Sequence, residues 1–234
     1  MAEPASSVAL VIPVIDEGET IADVVQAVPR DVVGYIIVVD GGSRDETVAR
    51  ARQAGAEVLV QARAGYGAAC LAGARHAPSG CRVIAFMDGD GSDDPAELAG
   101  MVQPILANQE DFVIGSRVRG ERDSGSLGPH QVAAGRLAGA AMRLLYGVSY
   151  TDMCPMRAIR RDVLEALAMR ERTYGWNLEM QMRAARAGLR IREVPVRHRH
   201  RAGGVSKVAG SLSGSLRASG RIALTFARVA FNRG

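Results

Sequence analysis

The stretch VIAFMDGDGSDDP, residues 83–95, decides the fold. Its first five residues are apolar without alternation, the pattern of a strand buried on both faces, and the run ends in two carboxylates, Asp88 and Asp90, separated by Gly89. Pro95 then stands where a helix opens, continuing to about residue 106. The same beat runs upstream. VALVIPVI (8–15), YIIVVD (35–40) and EVLVQ (57–61) read as strands, followed by helical stretches over 19–28, 44–54 and 67–76. Ser43 is the expected cap of the second helix, with Glu46 at the capping-box position. DFVIGS (111–116) closes the series. Strands alternating with helices of this length imply βαβ units, hence an α/β fold with a mainly parallel sheet flanked by helices.

Downstream of residue 116 the beat stops. Residues 117–130 are polar and Gly-rich and read as a mobile loop. Helices are expected over 131–146, 160–168 and 177–187, a strand over 190–198, a basic loop over 199–207 and a C-terminal amphipathic helix from 208 to 231. The expected organisation is one domain over 1–207, with a first half at 8–116 and a second at 117–207, followed by a basic segment at 208–234.

Composition bounds the function. A chain of 234 residues, 47% hydrophobic and 23% charged, fits one globular domain and excludes disorder. The net charge of +4 is unevenly placed: residues 190–234 hold ten Arg and Lys against one acid, Glu193, leaving −5 on the first 189. A basic tail on an acidic body suits an anionic partner. With 4% aromatic residues and no visible stacking platform, nucleic acid ranks below phosphate or a membrane surface. Lys207 is the only lysine. Cys70, Cys81 and Cys154 form no C-x-x-C spacing, which fits a reducing, cytoplasmic setting; no signal-peptide pattern opens the chain, and no run reaches 18 apolar residues.

Ligands of open parallel sheets bind beyond the carboxyl ends of the strands. Asp16 and Glu17, Asp40, and the Asp88/Asp90 pair all stand at such ends. Aspartate there also serves plain turns and caps, so the D-G-D pair is the more telling signal. Hard oxygen ligands with open positions suit Mg²⁺ or Mn²⁺ shared with a substrate diphosphate. The EF-hand is excluded because its bidentate Glu position falls on Ala99. A dinucleotide fingerprint is absent after the first strand, and no P-loop lysine exists.

VIPVIDEGETI, VVDGGSRDET, AGYGAA, FMDGDGSDDP, VIGSR and GVSK together resemble glycosyltransferase family 2 on the GT-A fold, over about residues 8–210. Within it the chain is similar to the branch of dolichyl-phosphate mannose synthase and bacterial polyprenyl-phosphate glycosyltransferases. The resemblance implies inverting hexose transfer from a UDP- or GDP-sugar to a lipid phosphate or another membrane-associated acceptor. It implies that Pro13, Glu17 and Asp40 hold the nucleoside, that Asp88 meets ribose or sugar, and that Asp90, with Asp88, ligates the metal. Arg63 is the nearest cation in a turn where the family carries a basic residue and this chain has Tyr66. Ser92 stands where the lipid-phosphate branch often has Gln, and Pro155 where Gly is common.

The acceptor side is open in two ways. A hydroxyl acceptor needs a carboxylate base, for which Glu179 is the candidate, although it also reads as an acid of a helix N-terminus. A phosphate monoester is already anionic and needs cations: Arg117, Arg119, Arg122, Arg201 and, with Ser206, Lys207. By resemblance Asp152 lies near the acceptor, and the loop with Arg201, Ser206 and Lys207 contacts a diphosphate or phosphate. The runners-up are transfer to a small soluble hydroxyl acceptor and a non-catalytic nucleotide-sugar-binding scaffold. In the final helix Arg217, Arg221 and Arg228 form one stripe beside Leu224 and Phe231, fitting either an interfacial helix or one packed on protein.

Overall fold

A computed structural model describes residues 7–61, 65–203, 220 and 224–231. Seven strands form one sheet in the order β3-β2-β1-β4-β6-β5-β7. They are β1 (Val8–Val14), β2 (Tyr35–Asp40), β3 (Glu57–Val60), β4 (Val83–Phe86), β5 (Phe112–Ser116), β6 (Arg157–Arg160) and β7 (Ile191–Pro195). Helices α1 (Ile21–Ala27), α2 (Thr47–Gln53), α3 (Tyr66–His76) and α4 (Leu98–Leu106) follow β1 to β4, as the apolar beat requires. β1 and β4 are buried almost throughout, which is why their sequences show no alternation. Helix α4 buries Leu98, Met101, Val102 and Ile105, the spacing of one helical face.

The second half departs from expectation in one decisive way. Residues 157–160, of which the sequence pattern gives only residue 160 an element, as the start of a helix, form β6, which runs antiparallel to both β4 and β5. β5 is therefore not the neighbour of β4. Helix α6 is shortened to Arg161–Ala166, while α5 (Pro129–Tyr146) and α7 (Trp176–Arg186) lie close to their expected places. Because β6 runs backwards, its N-terminal lead-in, residues 152–156, reaches the same sheet edge as the carboxyl ends of β1, β2, β4, β5 and β7. One reversed strand thus adds a whole segment to the ligand-binding edge.

Two local expectations are also corrected, and a reading left open for the C-terminal segment is narrowed. Ser43 does not cap α2, which starts at Thr47; its hydroxyl instead bonds the Asp40 carboxylate and accepts from the Asp16 amide at 2.8 Å. Residues 117–128 form no long element, yet they are not loose: His198 N–H donates to Glu121 O, Asp123 N–H to His198 O, and His200 N–H to Asp123 Oδ2. Finally, the helical residues 224–231 pack on the body. Thr225 and Val229 are buried, and the partly exposed Arg228 donates from Nη2 to Glu171 Oε2 at 3.0 Å, which fits the reading of a helix packed on protein, while Leu224 and Phe231 stay exposed. Arg217 and Arg221 lie outside the described residues.

The far edge of the sheet is tied by Asp111, which accepts from Arg160 Nη1 at 3.0 Å and from Arg190 Nη2 at 2.8 Å. The Arg190 hydrogen bonds hold its carboxyl down at about 2 against the opposing effect of burial. A depressed carboxyl stabilises the fold above the ordinary aspartate value and loses that contribution as pH falls through the lowered one. Urea titrations should therefore show Asp111→Asn less stable than the parent at neutral pH, with the gap closing between about pH 4 and pH 2.

Candidate active site

The acids at the tips of β1 and β4 meet one arginine, Arg201, which lies 184 residues beyond Glu17 in the chain. Arg201 Nη1 donates to Glu17 Oε1 at 2.9 Å, and its Nη2 lies 2.8 Å from Asp90 Oδ2. The backbone reinforces the contact, since Ala202 N–H donates to Asp90 O at 3.1 Å and Arg199 N–H to Ser92 O at 2.8 Å. Asp90 Oδ1 accepts from Ser92 N–H at 2.9 Å and so shapes the turn that follows β4. Gly89 is required there: a Cβ would lie 2.6 Å from Val14 Cγ1.

Asp88, Asp90 and Asp93 crowd together. Burial, then the negative charges of Asp93 and Asp90, push the Asp88 carboxyl well above the usual range, while Arg117 and Arg201 pull it down. Asp93 Oδ2 accepts from the Asp88 amide at 3.2 Å, but its Oδ1 is buried without a hydrogen-bond partner, 3.8 Å from the equally unpartnered Nδ1 of His198. Surplus carboxylate charge and an orphaned buried oxygen are what a hard divalent cation relieves. Among the described residues no three His, Cys, Asp or Glu side chains are arranged to hold an ion by themselves. The residues present fit a metal shared with a ligand's own oxygens rather than a closed protein cage.

On the other side of Asp88, the lead-in to β6 is fixed by an ion pair. Arg117 donates from Nε to Asp152 Oδ2 and from Nη2 to Asp152 Oδ1, both at 2.8 Å, and the side chains are 13% and 4% exposed. Burial alone would raise the Asp152 carboxyl; the hydrogen bonds and charge of Arg117 hold it below its ordinary value. Glu193 fixes the same segment by accepting from the amides of Thr151 at 2.8 Å and Asp152 at 3.2 Å. Arg119 reaches Glu193 as well, through its carbonyl at 3.0 Å, and Arg122 pairs by backbone with His198.

Glu179 does not join this cluster. It is fully buried, with Oε2 accepting from the amides of Arg170 and Glu171 at 3.0 and 2.6 Å and Oε1 from Arg183 Nε at 3.0 Å. Both oxygens are thus engaged within the protein, and the carboxylate caps the turn before α7. Asp40, 1% exposed, likewise spends both oxygens on the turn 42–43, through the amides of Gly42 and Ser43. Pro13 pairs in register with Val39, one step before these tips. Arg63, Ser206 and Lys207 lie outside the described residues.

Sequence reasoning missed several residues. Arg157 is fully buried and donates to the carbonyls of Pro155, Cys154 and Asn177; no residue pattern announces an arginine satisfied by carbonyls. Tyr66 has a buried hydroxyl without a hydrogen-bond partner, and burial followed by the nearby Asp88 charge pushes that phenol upward. Glu193 did carry a signal, as the one acid in a basic segment of 45 residues.

The family model for glycosyl transferase family 2 matches residues 9–168. An uncharacterised glycosyltransferase of Mycobacterium tuberculosis is 36% identical over 212 residues, covering 90% of this chain and 93% of the relative. The polyprenol monophosphomannose synthase of Mycolicibacterium smegmatis is 34% identical over 76% of this chain and 71% of its own length. Among solved structures, glucosyl-3-phosphoglycerate synthase of M. tuberculosis, in complex with Mn²⁺, UDP-glucose and phosphoglyceric acid, superposes with a TM-score of 0.77 at 23% identity, over 96% of this chain and 79% of that one. The sheet is that of the GT-A neighbours, and the chain belongs to glycosyl transferase family 2.

Proposed function

We propose that the protein transfers a hexose, with inversion and with Mg²⁺ or Mn²⁺, from a nucleoside diphosphate sugar to a polyprenyl phosphate. The observation that carries the acceptor class is the engagement of Glu179: its oxygens are tied within the protein, while the edge beside Asp88 presents arginine. An ionised phosphate oxygen needs no base. Two relatives support the same class by name, the polyprenol monophosphomannose synthase above and an undecaprenyl-phosphate mannosyltransferase of Micrococcus luteus, 33% identical over 76% of this chain.

In this reading Glu17, Pro13 and Asp40 shape the nucleoside site, with Arg63 as a nearby cation. Asp88 and Asp90 hold the metal, which when bound neutralises charge on the departing diphosphate. Arg201 moves from its acids to that diphosphate, joined by Ser206 and Lys207. Arg117, oriented by Asp152, holds the acceptor phosphate so that its oxygen attacks the anomeric carbon from the face opposite the leaving group. One bond from that carbon to the acceptor oxygen forms as the bond to the diphosphate breaks, and the nucleoside diphosphate carries away the electron pair.

A second reading has a soluble acceptor, and the shared sheet with glucosyl-3-phosphoglycerate synthase favours it. Thermal-shift measurements across UDP- and GDP-sugars, with and without Mn²⁺, identify the donor by mass action. Radiolabelled transfer then decides the acceptor. Label is expected in the organic phase with undecaprenyl phosphate and in no product with 3-phosphoglycerate; the reverse pattern overturns the lipid reading.

A further inference from the structure

The outer face of α5 exposes large apolar side chains that nothing in the described structure covers. Leu137 is 73% exposed, Leu144 87% and Leu145 49%. On a helix turning about 100° per residue, Leu137 and Leu144 fall within about 20° of each other, with Ala133 and Ala140 alongside. The opposite face holds Gly135, Gly139 and Met142, all buried. That face is fixed: a Cβ on Gly135 would lie 3.2 Å from Thr151 O, and Gly139 packs on the Tyr150 carbonyl. The outward leucines are therefore not a stripe waiting to turn inward.

Charge chooses the occupant. Arg136 and Arg143 are exposed and lie along one margin of the leucine face. Residues 124–151 contain no Asp or Glu. Two copies meeting through this face would bring like charges together with no acid on either helix to offset them. An anionic surface with an apolar interior satisfies both arginines and leucines.

We propose that α5 lies on an anionic lipid bilayer, leucines inserted and Arg136 and Arg143 at the headgroups. The proposal rests on the lipid-acceptor reading and deepens it, because the inner face of the same helix packs on residues 150–152, whose Asp152 holds Arg117. One helix thickness, roughly 10 Å, then separates the bilayer from the cation assigned to the acceptor phosphate. Such a helix brings the site to a lipid phosphate without any membrane-spanning element; no helix among the described residues is long and apolar enough to span.

Co-sedimentation of the full chain with vesicles tests it. Equimolar phosphatidylcholine and phosphatidylglycerol should pellet the protein, phosphatidylcholine alone should not, and salt should weaken binding. Leu137→Glu with Leu144→Glu should cut vesicle binding by about ten-fold or more. Its nucleotide-sugar thermal shift, and its transfer to undecaprenyl phosphate dispersed in detergent, should match the parent. Arg136→Glu with Arg143→Glu should abolish the preference for phosphatidylglycerol. Undiminished pelleting of the leucine variant overturns the proposal, as does a dimer in light scattering that the leucine variant splits. Vesicle binding without any transfer to lipid phosphate overturns the acceptor reading alone.

Discussion

Asp90→Asn should leave a folded protein whose transfer activity falls by about 10³-fold or more, the order seen when preorganised charge at a transition state is removed. The substitution is nearly isosteric. The side-chain oxygen that accepts from Ser92 N–H is retained, so the turn after β4 keeps its shape. What is lost is the negative charge 2.8 Å from Arg201 and adjacent to Asp88 and Asp93. Arg201 keeps Glu17, so the loop stays docked. The measurement is kcat/KM with the donor identified by thermal shift, together with a Mn²⁺ titration of the variant. The Mn²⁺-dependent part of the shift should vanish while the metal-free melting temperature changes little. Parent-like activity and an undiminished Mn²⁺ response would sink the metal assignment.

The location of this acid cluster was legible in the sequence because two independent signals coincide. Uninterrupted apolar runs mark β1, β2 and β4 as interior strands, and carboxylates follow each run; the structure adds the neighbouring order β2-β1-β4, which puts Glu17, Asp40, Asp88 and Asp90 at adjacent tips. Contacts that depend on the reversed strand were not legible. β6 has only Ala158 and Ile159 between arginines, too short a run for either periodicity, and Arg157 reads as a surface residue until the register places it opposite Phe86. Nor does sequence reveal which acids are occupied. Glu179 has the residue type and helix position of a base, but its role is set by two backbone amides and Arg183, whose approach depends on how the turn before α7 folds. The bridge from Arg201 to Glu17 and Asp90 likewise requires the loop after β7 to lie over β1 and β4.

The Arg117–Asp152 pair should separate stability from function. Asp152→Ala leaves a guanidinium that is 13% exposed without its carboxylate, and stranding a buried charge costs about 3–5 kcal/mol. Arg117→Ala strands the carboxylate by the same logic. Replacing both, as Arg117→Met with Asp152→Leu, removes the stranded charge, so the double variant should recover most of the loss of either single one. It should remain inactive in transfer to undecaprenyl phosphate if Arg117 holds the acceptor, and regain activity with stability if the pair only braces the chain. The pH dependence gives an independent check. Asp152 is held below its ordinary value, so the pair stabilises above that value and loses its contribution as pH falls through the lowered one. Parent and double variant should therefore differ in pH dependence, with only the parent losing this contribution on the acid side. If Arg117 holds the acceptor phosphate as proposed, the same pairing gives a reason for arginine at this position. Asp152 engages Nε and Nη2 in a bidentate fork, fixing the guanidinium plane and leaving the Nη1 edge for a phosphate, a division of labour that the single ammonium of a lysine does not offer.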